Sequence, residues 1–333
     1  MHTKKKSVTL ADIAMTVGVS KMTVSRALNG YPHVNKSVRN KILDTAKIMG
    51  YRPNAIARSL VLGESFQILF VAKSFSHKHF SSFLTGIEKV ISKSEYQLTI
   101  KRTQRKGITE LEVLYKMEGN HPAGILFDAN MERLPEVVID KLTEFHLPVV
   151  VINHPDGDCP FTVIKRDYKR EFYRVIRFLE QRRLSRYLYF TSGNNSRRNK
   201  EWIAGTQEAV SRRDSELRGE VIYGISTFSQ VKNAVNRFSD EDSCAIIVDQ
   251  HILRLILRER TFASEKWGND VLIVSLDESR RAHAYGVSYI QLDGEQMGIM
   301  AAKQLFNQMQ QKNAEPRVIK IAGDICSCDK KVV

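Results

Sequence analysis

Val19-Ser20-Lys21-Met22-Thr23-Val24-Ser25-Arg26-Ala27-Leu28-Asn29 is the stretch on which the reading of this chain turns. Val24, Ala27 and Leu28 fall on one face of a helix, which leaves Lys21, Met22, Ser25 and Arg26 to point outward. Ser20 stands at the N-cap of that helix. Before it, Gly18 ends an earlier helix whose Leu10, Ile13 and Ala14 share a face and whose entry is capped by Thr9. A third helix is expected over about 36–49, with Val38, Ile42 and Ala46 as its inner stripe and Gly50 as its stop. Two short helices joined by a glycine turn, braced by a third, make a helix-turn-helix reader of DNA.

Charge supports that reading. Residues 1–63 hold eleven Lys and Arg (Lys4, Lys5, Lys6, Lys21, Arg26, Lys36, Arg39, Lys41, Lys47, Arg52, Arg58) against Asp12 and Asp44, a surplus of +9. The whole chain carries +14, so the other 270 residues share only +5. Neutralising phosphates with Lys and Arg supplies most nonspecific DNA affinity, and here that field has a location. A solvated basic tail is the plain alternative, but apolar residues at helical spacing interleave the charges. Lys21 and Arg26 can donate to guanine O6 and N7 or to phosphate, and Met22 can touch a thymine methyl. Thr9, Ser20, Thr23, Ser25 and Asn29 join them as DNA-facing candidates.

The segment from Val8 onward, continued through Gly50-Tyr51-Arg52-Pro53-Asn54-Ala55-Ile56-Ala57-Arg58-Ser59-Leu60, closely resembles the head and hinge of the lactose/galactose repressor family. The Tyr-Arg-Pro-Asn-x-x-Ala-Arg-x-Leu extension narrows the match beyond a generic helix-turn-helix. The resemblance implies that the segment after Pro53 becomes a short hinge helix in the minor groove, with Leu60 wedged between base pairs and Asn54, Ala57 and Arg58 beside it. Physically this is sensible: a helix of about eight residues falls short of the ~12–15 needed for stability in water and must borrow order from DNA and a twin hinge. Leucine insertion kinks the duplex and widens the contact. The alternative is Leu60 as a linker or core residue.

At 333 residues and 42% hydrophobic the chain is long enough for more than one core. No apolar run approaches the roughly 20 residues that span a bilayer, and Asp12 interrupts any signal-like core after Lys4-Lys5-Lys6, so a cytoplasmic protein is expected. Cys159, Cys244, Cys326 and Cys328 are too sparse to staple such a fold, and Cys326-Ser-Cys328 lacks a second pair at zinc-like spacing; four reduced, incidental thiols are expected. Dinucleotide, phosphate-loop, nucleophile-elbow and zinc-protease motifs are missing from the sequence, and its histidines lack paired carboxylates at metal spacing. The expectation is a protein that is not an enzyme, without cofactor or metal site.

Beyond Ser65, short apolar runs alternate with longer amphipathic ones: 67–72, then a helix over about 79–93; 97–100, then 108–118; 124–127, then 133–145; then 149–153. The pattern restarts at 187–191 and continues through 221–223, 245–249 and 271–277. Such alternation argues for βα units and parallel sheets. The expected fold is therefore α/β: an all-α head of residues 1–52, a hinge over 53–63, and a body over 64–333 made of two doubly wound lobes, like type I periplasmic binding proteins. The first lobe covers about 65–164 and 294–325, the second about 165–293. The resemblance implies that a last helix over about 295–311 and the strand Val318-Ile319-Lys320-Ile321 cross back to complete the first lobe.

Open α/β sheets bind ligands beyond the carboxyl ends of their strands. That rule selects Lys73, Ser74, Phe75 and Asn153 in the first lobe, and Ser192 to Lys200, Asp249, Gln250 and Asp277 in the second. For Lys73, Asn153 and Gln250 the competing reading is a capping or loop role. The family resemblance implies a cleft that takes sugars or purines, with Asp277 accepting hydrogen bonds from the ligand and Asp249 at a position commonly asparagine or aspartate. Two departures stand out. Trp202 lies three residues before Gly205, where the family carries an effector-clamping arginine, and Ser275 replaces the usual glycine. Trp202 could stack on a sugar face or block the site. Arg197, Arg198 and Lys200 could supply the missing cation, which would favour a sugar acid or sugar phosphate, or could form a solvated basic loop.

Together these readings predict a homodimeric, sequence-specific transcription repressor of carbohydrate-utilisation genes on a pseudopalindromic operator, coupled to a sugar-like effector. Leucine heptads for a tetramer do not follow residue 321. The alternatives are a regulator with a degenerate cleft that answers to a protein partner or to concentration, and a sugar-binding protein with no DNA role, which would have no use for the basic head.

Overall fold

The computed structural model describes residues 8–28, 31–51, 65–73, 80–103, 109–117, 122–130, 132–155, 157–191, 200–205, 208, 217–237, 244–259, 271–311 and 314–328. The chain divides into two units, Met1–Ser65 and Phe66–Val333.

The first unit holds α1 (Leu10–Val17), α2 (Lys21–Leu28) and α3 (Lys36–Ile48). Thr9 and Asp12 form a reciprocal capping box: the Asp12 N–H donates to Thr9 Oγ1 at 3.4 Å, and the Thr9 N–H donates to the Asp12 carboxylate at 2.8 Å. Gly18 closes α1 in the left-handed region at φ 79°, where a side chain would be strained. Ser20 Oγ accepts the Thr23 N–H at 3.1 Å and starts α2, and Asn35 caps α3 through the Ser37 N–H at 2.9 Å. Ile13, Ala14, Val24, Ala27, Ile42 and Ala46 form the core. None of these helices is long enough to persist alone in water, so this small shared core holds all three.

The second unit contains two six-stranded sheets. The first is built from β1 (Gln67–Ala72), β2 (Gln97–Arg102), β3 (Gly124–Asp128), β4 (Val149–Ile152), β5 (Thr162–Arg166) and β11 (Val318–Ile321), in the order β11-β5-β4-β3-β1-β2, all parallel. The second contains β6 (Arg186–Thr191), β7 (Arg218–Tyr223), β8 (Cys244–Val248), β9 (Leu272–Ser275), β10 (Ser288–Gln291) and β12 (Asp324–Cys326), in the order β12-β10-β9-β8-β6-β7. Its last strand alone runs antiparallel, against β10. The chain passes between the sheets three times: after β5, after β10 and after β11. The final crossing was not expected; Asp324–Cys326 joins the second sheet, where the sequence reading ran the first lobe on to about 325.

Helices cover both faces of each sheet, which is why the inner strands read as unbroken apolar runs. Ile68, Phe70, Leu126 and Val150 face α4 (Phe80–Ile91) and α11 (Gly294–Gln310), and Leu69, Val71, Ile125 and Val151 face α5 (Glu110–Met117) and α6 (Glu136–Glu144). In the second sheet Tyr187, Tyr189 and Ile247 face α7 (Tyr168–Gln181). Leu188, Phe190 and Ile246 face α8 (Phe228–Val235), α9 (Gln250–Arg258) and α10 (Arg280–Ala284). Residues 200–205 are also helical.

α4 and α11 touch backbone to backbone. A Cβ on Gly298 would lie 2.0 Å from the Phe83 carbonyl oxygen, and one on Gly86 would lie 2.0 Å from that of Glu295. Gly298→Ala should therefore destabilise the protein by about 1–3 kcal/mol despite the helix propensity gained, because backbone cannot move aside as a side-chain tip can. Urea unfolding should show a lower midpoint at unchanged slope; an unchanged or raised midpoint would mean that the helices separate at no cost.

Candidate functional site

In the head, α2 turns Lys21, Met22 and Arg26 to solvent, and Met22 is 63% exposed. An exposed methionine between two cations is poor design for a solvated face and suits an apolar contact at a base edge. Ser25 and Thr23 are half-buried. Thr9 and Ser20 are engaged locally: the Thr9 hydroxyl donates to Asp12 at 2.8 Å, and the Ser20 and Thr23 hydroxyls lie 2.9 Å apart. Asn29 and the hinge candidates Asn54, Ala57, Arg58 and Leu60 lie outside the described residues.

In each sheet of the body the strand order reverses once, between β1 and β3 and between β6 and β8, and crevices form at such points. Lys73, just after β1, pairs with Glu132 and lies 3.4 Å from Glu110. Partial burial works against its charge, but the two carboxylates outweigh burial and lift its pKa above the ordinary lysine value. Asp128, at the end of β3, accepts from the Asn130 N–H at 3.0 Å and from Asn153 Nδ2 at 3.3 Å. Both asparagines sit in the left-handed region, at φ 50° and 55°. Ser74 and Phe75 lie outside the described residues.

On the second sheet, Asp249 caps α9 by accepting the Ile252 N–H at 2.9 Å. Gln250 Nε2 donates to the Glu278 carbonyl at 3.0 Å. Lys200 is exposed at the start of its helical segment, whereas Trp202 is wholly buried. The Trp202 ring meets Tyr168 and Tyr189 edge-on, with centroids 5.2 and 6.5 Å away, so its faces belong to the core rather than to an open stacking platform.

Asp277 is 8% exposed and meets Arg166, a residue the sequence reading did not select. Arg166 Nη1 donates to Asp277 Oδ1 at 3.2 Å and Nη2 to the Leu276 carbonyl at 3.0 Å. Its Nε donates to both oxygens of Glu171, at 2.7 and 2.8 Å, and Glu171 also accepts the Gly323 N–H at 2.8 Å. Burial opposes the Arg166 charge, but Glu171, with Tyr168 and Asp277 behind it, more than restores it, and the guanidinium stays protonated. Burial raises the Glu171 carboxyl above the usual range, while Arg166 and the Gly323 N–H pull it back. Ser275, in place of the expected glycine, donates through Oγ to the Asp277 carbonyl at 2.7 Å and shapes this turn.

Arg166, Glu171 and Asp128 were missed because buried charge looks like surface charge in a sequence. The available signal was that Asp277, once placed at a buried strand end, needs a cation. Among the described residues there is no group of three or more His, Cys, Asp or Glu able to hold a metal, and no helix long and apolar enough to cross a membrane.

Residues 9–54 match the family model described as bacterial regulatory proteins, lacI family. Catabolite control protein A of Priestia megaterium is 26% identical over 284 residues, covering 82% of this chain and 83% of its own length; that of Staphylococcus xylosus is 23% identical over 277 residues, with the same coverage. Among solved structures, the lac repressor dimer bound to operator and the anti-inducer ONPF superposes with a TM-score of 0.70 at 18% identity, covering 98% of this chain and 99% of that one. A complex of the transcriptional regulator CelR with cellobiose superposes at 0.61, also at 18% identity, covering 98% of this chain and all of that one.

Replacing Arg166 by leucine leaves two buried carboxylates without their cation. R166L should lose about 3–5 kcal/mol of stability, and R166L/E171L should recover part of it, since it removes one of the two carboxylates left without a cation. Urea denaturation of both variants checks this, and a fully stable R166L would refute the network's structural role.

Proposed function

We propose that the chain is a member of the lactose/galactose repressor family of bacterial regulatory proteins and acts as a homodimeric repressor of carbohydrate-utilisation genes on a pseudopalindromic operator. The observation that carries this is the outward face of α2, with Lys21, Met22 and Arg26 exposed on a three-helix head that holds most of the chain's surplus charge. Two such heads on a two-fold dimer read two half-sites. Ser20, Thr23, Ser25, Asn29 and Thr9 complete the proposed contact set. The hinge residues Asn54, Ala57, Arg58 and Leu60 enter the minor groove, and Leu60 opens a base step. The protein works in the cytoplasm as a regulator rather than a catalyst.

Control comes from the body. Related structures hold ligands, cellobiose among them, and this chain shares their fold. A sugar-like effector would lie beyond the strand ends, between Lys73, Ser74, Phe75 and Asn153 of the first sheet and Lys200, Asp249, Gln250 and Asp277 of the second, with Trp202 behind. A second reading has its own support. Lys73, Asn153, Asp249, Gln250 and Asp277 each already hold a partner from the protein, which favours a regulator whose cleft is self-satisfied and whose signal enters elsewhere. A thermal-shift screen of neutral sugars, sugar acids and nucleobases separates the two. A concentration-dependent rise in Tm that Asp277→Asn abolishes supports the cleft reading, and no response to any of them supports the second.

Two substitutions test the DNA contacts. Arg26→Ala should cost about 1–3 kcal/mol of operator affinity and relax base preference, as read by competition binding against single-base operator variants; equal weakening on all sequences would make Arg26 a phosphate contact. Leu60→Ala should leave fold and dimer intact and reduce DNA bending in a circular-permutation gel, and an unaltered bend angle would remove the wedge.

A further inference from the structure

Next to Gln250, on the side of α9 and α10, the body carries a concentration of exposed positive charge that belongs to none of the strand-end groups. Arg254 and Arg258 of α9, and Arg280 and Arg281 of α10, surround one depression of about 350 Å³, together with Gln250 and Ser279. All four arginines are exposed, and among the described residues no carboxylate lines the depression. Among the described residues the guanidinium groups of Arg258, Arg280 and Arg281 make neither a hydrogen bond nor an ion pair, and that of Arg254 has only Gln250 Oε1, at 3.4 Å. The Ser279 hydroxyl is engaged in capping the Ala282 N–H at 3.0 Å.

The protein's own electrostatics disfavour this arrangement. Arg254 and Arg258 are one helical turn apart, a like-charge pair at the spacing where such pairs repel. Arg280 and Arg281 are adjacent in the chain at the start of the five-residue α10 and both line the same depression, which brings two more like charges to it. General basicity does not account for it either, since the 270 residues that follow the head carry only +5 together. Four guanidinium groups that repel one another around a concavity are stabilised by an anion. A guanidinium fork matches two phosphate oxygens, which a halide cannot offer.

We propose that this depression binds a small phosphate-bearing molecule, of the size of a sugar phosphate or a diphosphate, and that binding is felt at the strand ends. The link is short and runs through hydrogen bonds and adjacent residues. Gln250 lines the depression and donates to the Glu278 carbonyl, Asp249 caps the same helix α9, and Asp277 precedes Glu278 directly. A ligand that draws α9 and α10 together therefore acts on the two aspartates that end β8 and β9. The proposal stands whether or not the cleft holds an effector of its own.

The test is calorimetry on the full-length protein with inorganic phosphate, pyrophosphate and glucose 6-phosphate, at ionic strength held constant with chloride and with glucose as the uncharged control. Saturable binding of at least one phosphate probe is expected, weakened about tenfold or more in R254A/R281A and unchanged in D277N. R254A/R281A should keep wild-type operator affinity in the absence of phosphate, which shows that it folds. Three results would overturn the proposal: no saturable binding, binding retained in R254A/R281A, or binding lost in D277N alone, which would move the anion to the strand ends. A fourth is a shift of the monomer–dimer equilibrium in R254A/R281A with no phosphate binding to wild type; the face would then be covered by a second copy.

Discussion

A single guanidinium, buried where the chain crosses between its two sheets, fixes much of the body's geometry. Arg166 ends a strand of the first sheet, Glu171 lies on the helix that follows, Asp277 follows a strand of the second sheet, and Gly323 lies in the last crossing. None of these groups could be buried alone, since an unpaired charge at such a site costs several kcal/mol. Together they satisfy one another, and the satisfaction is geometric: the two crossings can meet only where the fork of the guanidinium reaches both carboxylates. Arg174 adds to the same junction, donating to the carbonyls of Ala322 and Gly323. Apolar packing makes each sheet stable, and it is this polar knot that gives one sheet an address on the other.

The knot also explains which parts of the structure could be read in advance. In the head every level agreed, since Thr9, Gly18 and Ser20 punctuate helices whose inner faces are plainly apolar, and the caps form as expected. In the body the central strands were legible because burial on both faces leaves continuous apolar runs. Thr162–Arg166 was not, since Lys165 and Arg166 make it resemble a solvated charge run although both are buried. Ser288–Gln291 and Asp324–Cys326 are short, lie next to or at a sheet edge, and carry polar residues within strands of three or four. The candidate site divides in the same way. Asp277 and Asp249 were visible from their places at strand ends, but their partners lie 111 residues away in one case and in the adjoining helix in the other. Trp202 was visible as an oddity, and only the packing of Tyr168 and Tyr189 around it shows where its faces go.

The two units use charge in opposite ways. The head leaves Lys21 and Arg26 of α2 outside, where phosphate can meet them at a cost set by salt. The body buries or pairs charge wherever the strand ends converge, with Lys73 between two glutamates and Arg166 between Glu171 and Asp277. DNA affinity and internal architecture can therefore change independently: added salt weakens the first through screening, while the low-polarity surroundings of the second shield it.

The close meeting of Gly86 with α11 has a consequence for the order of events during synthesis. The helix that covers one face of the first sheet includes residues more than 200 positions after those it touches, and the edge strand Val318–Ile321 comes later still. β1 to β5 leave the ribosome before α11, so Ile68, Phe70, Leu126 and Val150 have only α4 to cover them until residues 294–310 have been made. The second sheet waits too, for Asp324–Cys326. Neither half can finish alone, so the body matures late and as one cooperative piece, with nascent chains exposed to chaperones and proteases, while the three-helix head at the N-terminus can fold as soon as it clears the exit tunnel.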